Sequence, residues 1–154
     1  MLAKNVMVAD MVTALADEKV EDVLHKMRSA KLRMLPVLDA DRRVIGVVST
    51  FSVMERVVPS YIVTGDLNQI PYAPDMGVLH RHFEEVRGLR ADAVMDAKPL
   101  KVQADESLLS VAAAMISYKK HEYAMVIDDD GCLLGIISAG DVLDRLSRGD
   151  VIDA

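Results

Sequence analysis

The chain has 154 residues, 51% hydrophobic and 27% charged, with a formal net charge of −6. That length fits one domain, or two small ones sharing a core, and the acidic balance argues against a nucleic-acid binder, whose surface would carry a basic excess. One cysteine excludes an internal disulfide, no apolar run approaches the ~18 residues of a membrane span, and with 4% aromatics, no Trp and ten Met the core must be aliphatic.

At the N-terminus, MLAKNVMVADMV is broken by Lys4 and Asp10 and lacks the unbroken apolar stretch of a secretory signal. With a single cysteine, this implies a reducing, cytoplasmic setting. A short strand is expected near 12–15. Val20, Val23, Leu24 and Met27 then fall at i, i+3, i+4 and i+7, one apolar stripe on a helix, with Asp17 as its expected N-cap. An apolar run at 34–38, an acidic turn and a second run at 44–48 follow, and Ser49 opens another helix. Pro36 inside a strand implies an edge position, because proline cannot donate to a ladder.

Residues 58–90 hold Pro59, Gly65, Pro71, Pro74, Gly77 and Gly88. Within them, 75–87 reads as a helix capped by Asp75, lined by Leu79, Phe83 and Val86, and ended by Gly88.

From residue 90 the pattern begins again. LPVLDADRRVIGVVSTFSVMER (35–56) aligns without a gap to AMVIDDDGCLLGIISAGDVLDR (124–145), at an offset of 89 residues. ADEKVEDVLHKM (16–27) aligns to ADESLLSVAAAM (104–115), and Val6-Met7 to Val94-Met95, both at an offset of 88. One residue is inserted beside Lys119-Lys120. The second copy has a strand near 100–103 and Asp105 as expected N-cap. Leu108, Val111, Ala112 and Met115 form its stripe, and runs at 123–127 and 133–137 flank Asp130-Gly131, a hairpin signal. Cys132, at the head of the second apolar run, reads as a buried strand residue rather than a nucleophile, since burial raises a thiol pKa.

The chain is therefore α+β: two β-α-β-β-α repeats, 1–58 and 90–154, joined by a linker at 59–89 with a short helix. Neither repeat could bury both its sheet and its helix faces alone, so the two are expected to pack with pseudo-two-fold symmetry.

The stretch GIISAGD (135–141) puts a hydroxyl and a carboxylate three residues apart where a strand turns into a helix. Ser138-x-x-Asp141 is a capping-box spacing. The same pair could instead hold a ligand. The residues alone leave both roles open, and the two are compatible.

The VM pairs, LPVLDADRRVIGVVS in copy one and MVIDDDGCLLGIISAGD in copy two together resemble a tandem pair of CBS domains, the regulatory modules named after cystathionine β-synthase. The resemblance covers about 1–58 and 90–148. It implies a sandwich with two clefts, each able to hold an adenine nucleotide (AMP, ADP or ATP) or an adenosyl compound. Carried over residue by residue, it implies that one cleft contains Ser138, near the ribose and phosphate, and Asp141, whose carboxylate would accept from both ribose hydroxyls at about 1.5–3 kcal/mol for each bond, with walls from Val12, Leu32 and Arg33 and a helix N-terminus presenting N–H groups to phosphate. A weaker second cleft contains Ser49, with walls from Leu100, His121 and Glu122. Copy one departs from the motif by placing Ser52 where Asp is expected. At ~1.4 kcal/mol per tenfold, loss of that charged acceptor should weaken the second cleft by roughly ten- to hundredfold. Copy two departs from it with Met125 in place of Pro.

Lys119, Lys120, His121 and Arg33 are candidates to reach phosphate. The plainer reading is a solvated helix end, where cations complement the macrodipole. His80 and His82 lie two apart, on different faces of a helix, so no metal is expected, and His80 with Glu84 is a surface pair. No nucleophile elbow, phosphate loop or Cys/His dyad appears, which argues against an enzyme.

The expected function is a ligand-sensing module without a tightly held cofactor, modulating an unidentified partner protein. The resemblance further implies a homodimer, with the exposed faces of helices 49–58 and 139–148 as candidate interfaces. The alternative is a ligand-free dimerisation or protein-interaction module.

Overall fold

The computed structural model describes residues 1–65, 76–120 and 122–149. In chain order the elements are α1 (Ala3–Val6), β1 (Ala14–Leu15), α2 (Val20–Ala30), β2 (Met34–Leu38), β3 (Val44–Ser49), α3 (Thr50–Val57), α4 (Ser60–Thr64), α5 (Met76–Val86), α6 (Ala91–Val94), β4 (Lys101–Gln103), α7 (Leu108–Tyr118), β5 (Tyr123–Ile127), β6 (Leu133–Ser138) and α8 (Ala139–Ser147). Each copy is β-α-β-β-α behind a leading helical turn, α1 or α6, and each carries a three-stranded sheet, ordered β1-β2-β3 and β4-β5-β6. In the second sheet β4 runs parallel to β5, and β5 antiparallel to β6.

The apolar stripes face inward as their spacing requires. Val20, Val23 and Met27 are buried on α2, and Leu108, Val111 and Met115 on α7, while Leu24 and Ala112 are half-buried. The capping positions differ from the sequence reading. Helix α2 is N-capped by Lys19 without a side-chain bond, and α7 by Ser107, whose hydroxyl accepts from the Ser110 N–H. Each helix starts two residues later than Asp17 or Asp105 would set, because a tight turn precedes it. Glu18 accepts from the Leu15 N–H and Glu106 from the Gln103 N–H, both at 3.0 Å.

Pro36 lies on β2, the central strand, and not on an edge. In copy two the corresponding residue is Met125, whose N–H donates to the Leu100 carbonyl at 2.8 Å. Strand β1 has two residues where β4 has three. A proline is tolerated at that point because the neighbouring ladder is a residue shorter.

The compact units cut across the sequence copies. One comprises 1–13, 38–45 and 98–154, the other 14–37 and 46–97. The segment ahead of each copy packs on the turn of the other. Ala3 and Lys4 donate to the carbonyls of Glu106 and Ala104, and Ala91 and Asp92 to those of Glu18 and Ala16. The VM pairs acquire a role here. In the first unit Val8 pairs with Ile136, and Met7 lies over Gly135; in the second Asp96 pairs with Val47, and Met95 lies over Gly46. A glycine on the third strand leaves room for the crossing methionine.

The core of the first unit joins Ala3, Val6, Val102, Val111, Ala124, Val126 and Ile137. In the second unit, α5 carries Val86 buried and Leu79 and Phe83 half-buried. It packs on α3, and Arg87 reaches Glu21 and Glu84. The expected cap Asp75 lies outside the described residues.

The acidic turns are matched. Asp39 accepts from the N–H groups of Asp41 and Arg43, and Asp128 from those of Asp130 and Cys132. Gly131 has φ +84°, and Arg42 takes the same left-handed region at φ 66°. The two turns abut within one unit: the Val44 N–H donates to the Gly131 carbonyl and the Leu133 N–H to that of Arg42.

Candidate functional site

Helix α8 begins where β6 ends, and its first turn is closed by a reciprocal cap. The Asp141 N–H donates to the Ser138 hydroxyl at 3.0 Å, and the Ser138 N–H donates to the Asp141 carboxylate at 2.8 Å. Both residues are half-buried, so the carboxylate is fixed in place without being sealed from a ligand.

The corresponding point of copy one has the same geometry without the charge. The Ser52 N–H donates to the Ser49 hydroxyl at 2.9 Å and the Ser49 N–H to the Ser52 hydroxyl at 3.0 Å. The Ser52 hydroxyl spends its proton on the Ser49 carbonyl, 3.1 Å away. Ser49 is buried.

The loop before the middle strand reaches the cap of its own copy. The Thr50 N–H donates to the Arg33 carbonyl at 3.0 Å, and the Ala139 N–H to the Glu122 carbonyl at 2.9 Å. Half-buried Leu32 and exposed Arg33 thus stand in the unit of Ser49 and Ser52, while half-buried Val12, half-buried Leu100 and exposed Glu122 stand in that of Ser138 and Asp141. His121 lies outside the described residues.

Beside the first turn of α8, in the same unit, is an open hollow of about 560 Å³ lined by Met115, Ile116, Lys119, Lys120, Glu122 and Ala139. That volume lies in the range of small-molecule pockets, about 300–1,000 Å³. Sequence reasoning named Lys119, Lys120 and Glu122. It passed over Met115, which reads as core, and Ile116 and Ala139, which carry no polar signal.

Among the described residues, no group of His, Cys, Asp and Glu could hold a metal ion, and no helix is long and apolar enough to cross a membrane. His80 and Glu84 form an exposed i,i+4 pair at 3.9 Å. Cys132 is half-buried, and its Sγ donates to the Asp41 carbonyl at 3.4 Å. Desolvation first, then the nearby Asp128 and Asp130, hold its thiol above the ordinary pKa, which disfavours the thiolate.

The repeated fold and the paired strand-to-helix caps define a tandem module of one family. The CBS domain pattern matches residues 3–59 and 91–148, and the chain belongs to that family. It is 25% identical over 158 residues to the uncharacterized protein MJ1426 of Methanocaldococcus jannaschii, covering 95% of this chain and 91% of that one. It is 29% identical over 131 residues to the chloroplastic CBS domain-containing protein CBSX2 of Arabidopsis thaliana, covering 80% of this chain and 53% of the relative. The structure of CBSX2 in complex with AMP superposes with a TM-score of 0.73 at 20% identity, over 97% of this chain and 98% of that one. The CBS pair of protein MJ0100, in complex with 5′-methylthioadenosine and S-adenosyl-L-methionine, superposes at 0.68 with 17% identity, over 97% and 98%.

Proposed function

We propose that the chain is a regulatory module that binds an adenine nucleotide or adenosyl compound through the Ser138–Asp141 cap and thereby biases a partner protein between two states. The observation that carries this reading is the half-buried Asp141 carboxylate, held by the Ser138 amide at the head of α8. A carboxylate offers about four lone-pair sites, so one amide bond leaves acceptor capacity for a ribose diol. The complexes of CBSX2 with AMP and of the MJ0100 pair with adenosyl compounds support the ligand class. In copy one, the uncharged Ser52 supports a weaker second site. The module works by shifting populations through differential affinity, without turnover, in the cytoplasm.

The test is titration calorimetry with adenosine, AMP, ADP, ATP and S-adenosylmethionine, beside a thermal-shift panel. A ligand of the native state must raise its stability, and no response to any of the five would overturn the proposal.

A second reading, a self-associating interaction module, is favoured by α7. Its sequence LLSVAAAMISY holds no charge, and Leu109 and Ile116, seven apart, are 82% and 71% exposed on the side away from the core. Leu143 and Leu146 on α8 are exposed as well. A helix apolar all round is ordinarily covered on every side, and an uncharged face meets its own copy without repulsion. This reading is compatible with the first, since a homodimer can also carry ligand.

A further inference from the structure

We infer that Met7 is a redox-sensitive latch: transfer of one oxygen atom to its sulfur releases the leading segment 1–8 from strand β6. The Met95 crossing on β3 is the matched second latch. Each methionine lies over a glycine of a third strand. A Cβ at Gly135 would stand 2.8 Å from the Met7 sulfur, and one at Gly46 2.5 Å from the Met95 sulfur, so each thioether rests against bare backbone. Beside each crossing the backbones are bridged in both directions, Val8 with Ile136 at 2.8 and 3.0 Å and Asp96 with Val47 at 2.8 and 2.9 Å. Both methionines are half-buried, which leaves them within reach of a small oxidant while they still serve the packing.

A hydroperoxide supplies the oxygen. The O–O bond breaks, an S=O bond forms, the sulfur gives up two electrons, and the hydroperoxide leaves as water or an alcohol. A polar sulfoxide then stands where an apolar, pliable side chain stood. The amides of Val8 and Ile136 at the crossing already have acceptors, and a polar group held against backbone without a partner is costly. The sulfoxide therefore turns to water and lifts Met7 off the strand. Ala3 and Lys4 stay held by the turn at 104–106, and the Asn5 carbonyl by Arg145, so the segment opens from its Val8 end. Strand β6 runs on from Gly135 to Ser138, which carries the loosening to the head of α8. Methionine sulfoxide reductases restore the thioether, which makes the latch reversible.

The experiment treats the intact chain with hydrogen peroxide, following each methionine by mass spectrometry and each amide by hydrogen exchange. Met7→Leu, Met95→Leu and their double variant run beside it, since leucine is apolar, close to methionine in volume and inert to peroxide; circular dichroism checks folding. Met54, 53% exposed on α3, is the internal control. Met7 and Met95 should convert in the folded chain. Conversion should speed exchange at the Val8, Ile136, Val47 and Asp96 amides roughly tenfold and lower the melting temperature by a few degrees. The double leucine variant, oxidised at Met54, should keep the protection of the untreated chain, and methionine sulfoxide reductases should return it to the treated parent. Sulfoxide at Met54 with Met7 and Met95 intact, sulfoxide at Met7 with unchanged exchange at Ile136, an equal response in the double leucine variant, or damage that the reductases leave in place would overturn the latch. Should the leucine variants misfold, graded peroxide on the intact chain decides: exchange at Ile136 should follow the Met7 sulfoxide, and exchange that follows the Met54 sulfoxide instead would overturn the latch.

Discussion

Ser138 and Asp141 bond to each other twice, backbone to side chain in both directions, at 3.0 and 2.8 Å. The bland and the functional readings of this pair meet in one geometry. The cap satisfies two amides at the strand-to-helix junction, and in doing so holds the carboxylate in a single orientation before any ligand arrives. Ordering a charged acceptor in advance removes part of the entropic cost of binding.

Two substitutions at Asp141 separate these roles. Asp141→Asn keeps an acceptor for the Ser138 amide but removes the negative charge from the first turn of α8, so it should cost about 0.3–1 kcal/mol. Asp141→Ala keeps the Ser138 cap but also loses the bond from the Ser138 amide, and should cost a further ~0.5–1.5 kcal/mol. Both lose the charge, so both should bind adenosine at least tenfold more weakly. Denaturant melts and calorimetry read the two effects independently. Wild-type affinity in Asp141→Asn would remove the carboxylate from the site.

Restoring the acid in copy one is the converse. Ser52 occupies the position of Asp141 and already accepts from the Ser49 amide. Ser52→Asp would keep that bond and add a negative charge to the first turn of α3, worth about 0.3–1 kcal/mol against the helix dipole. We expect a raised melting temperature and a second binding event in the calorimetric isotherm. A single-site isotherm with unchanged stoichiometry would show that copy one lacks more than the carboxylate.

The sequence carried the fold because the repeat supplies two readings of every element. The stripes at Val20–Met27 and Leu108–Met115, the paired acidic turns and the Ser49 and Ser138 helix starts are local patterns of spacing, and local spacing survives into the structure. What failed depended on partners. Asp17 and Asp105 have the chemistry of caps, but a preceding turn delays both helices, with Glu18 and Glu106 closing it. Pro36 obeys the edge rule only if its neighbour is long, and β1 has two residues. The exchange of Met7 and Met95 between copies had no signal beyond the VM repeat itself. At the candidate site, the reciprocal Ser138–Asp141 cap was legible from spacing. The hollow's apolar side was not, since Met115 and Ile116 belong to a helix whose pattern announces only a core face.

The crossing methionines yield a paired packing test. A Cβ at Gly46 would stand 2.5 Å from the Met95 sulfur and 2.8 Å from the Asp96 carbonyl, while one at Gly135 would meet only Met7 side-chain atoms, at 2.8 to 3.0 Å. The Asp96 backbone is pinned to Val47 in both directions, so it cannot retreat cheaply. Overpacking of this kind costs about 1–3 kcal/mol. We expect Gly46→Ala to be the more destabilising change, and Met95→Ala to leave its cost largely intact. Met7→Ala should relieve most of the cost of Gly135→Ala. Chemical denaturation of the two double-mutant cycles measures this, and equal coupling energies in both would contradict the geometry.

The outward face of α7 is the candidate surface for self-association. Leu109 and Ile116 sit two turns apart on a helix without a charged residue, and Leu143 and Leu146 on α8 of the same unit are exposed too. At about 25 cal/mol per Å² of apolar surface, leaving such side chains in water forfeits an appreciable gain. A standard interface buries about 800 Å² per partner, so these four residues would be its centre and not its whole extent. We expect light scattering behind a sizing column to report a dimer at micromolar concentration. Leu109→Glu combined with Leu146→Glu should shift it to monomer with an unchanged circular dichroism spectrum, because neither side chain contributes to the core or lines the hollow beside α8. Adenosine affinity in the monomeric variant then separates the two functional readings: binding that survives assigns the ligand site to a single chain, and binding that disappears makes self-association part of the sensor. A parent chain that runs as a monomer at every concentration tested would overturn the self-association reading.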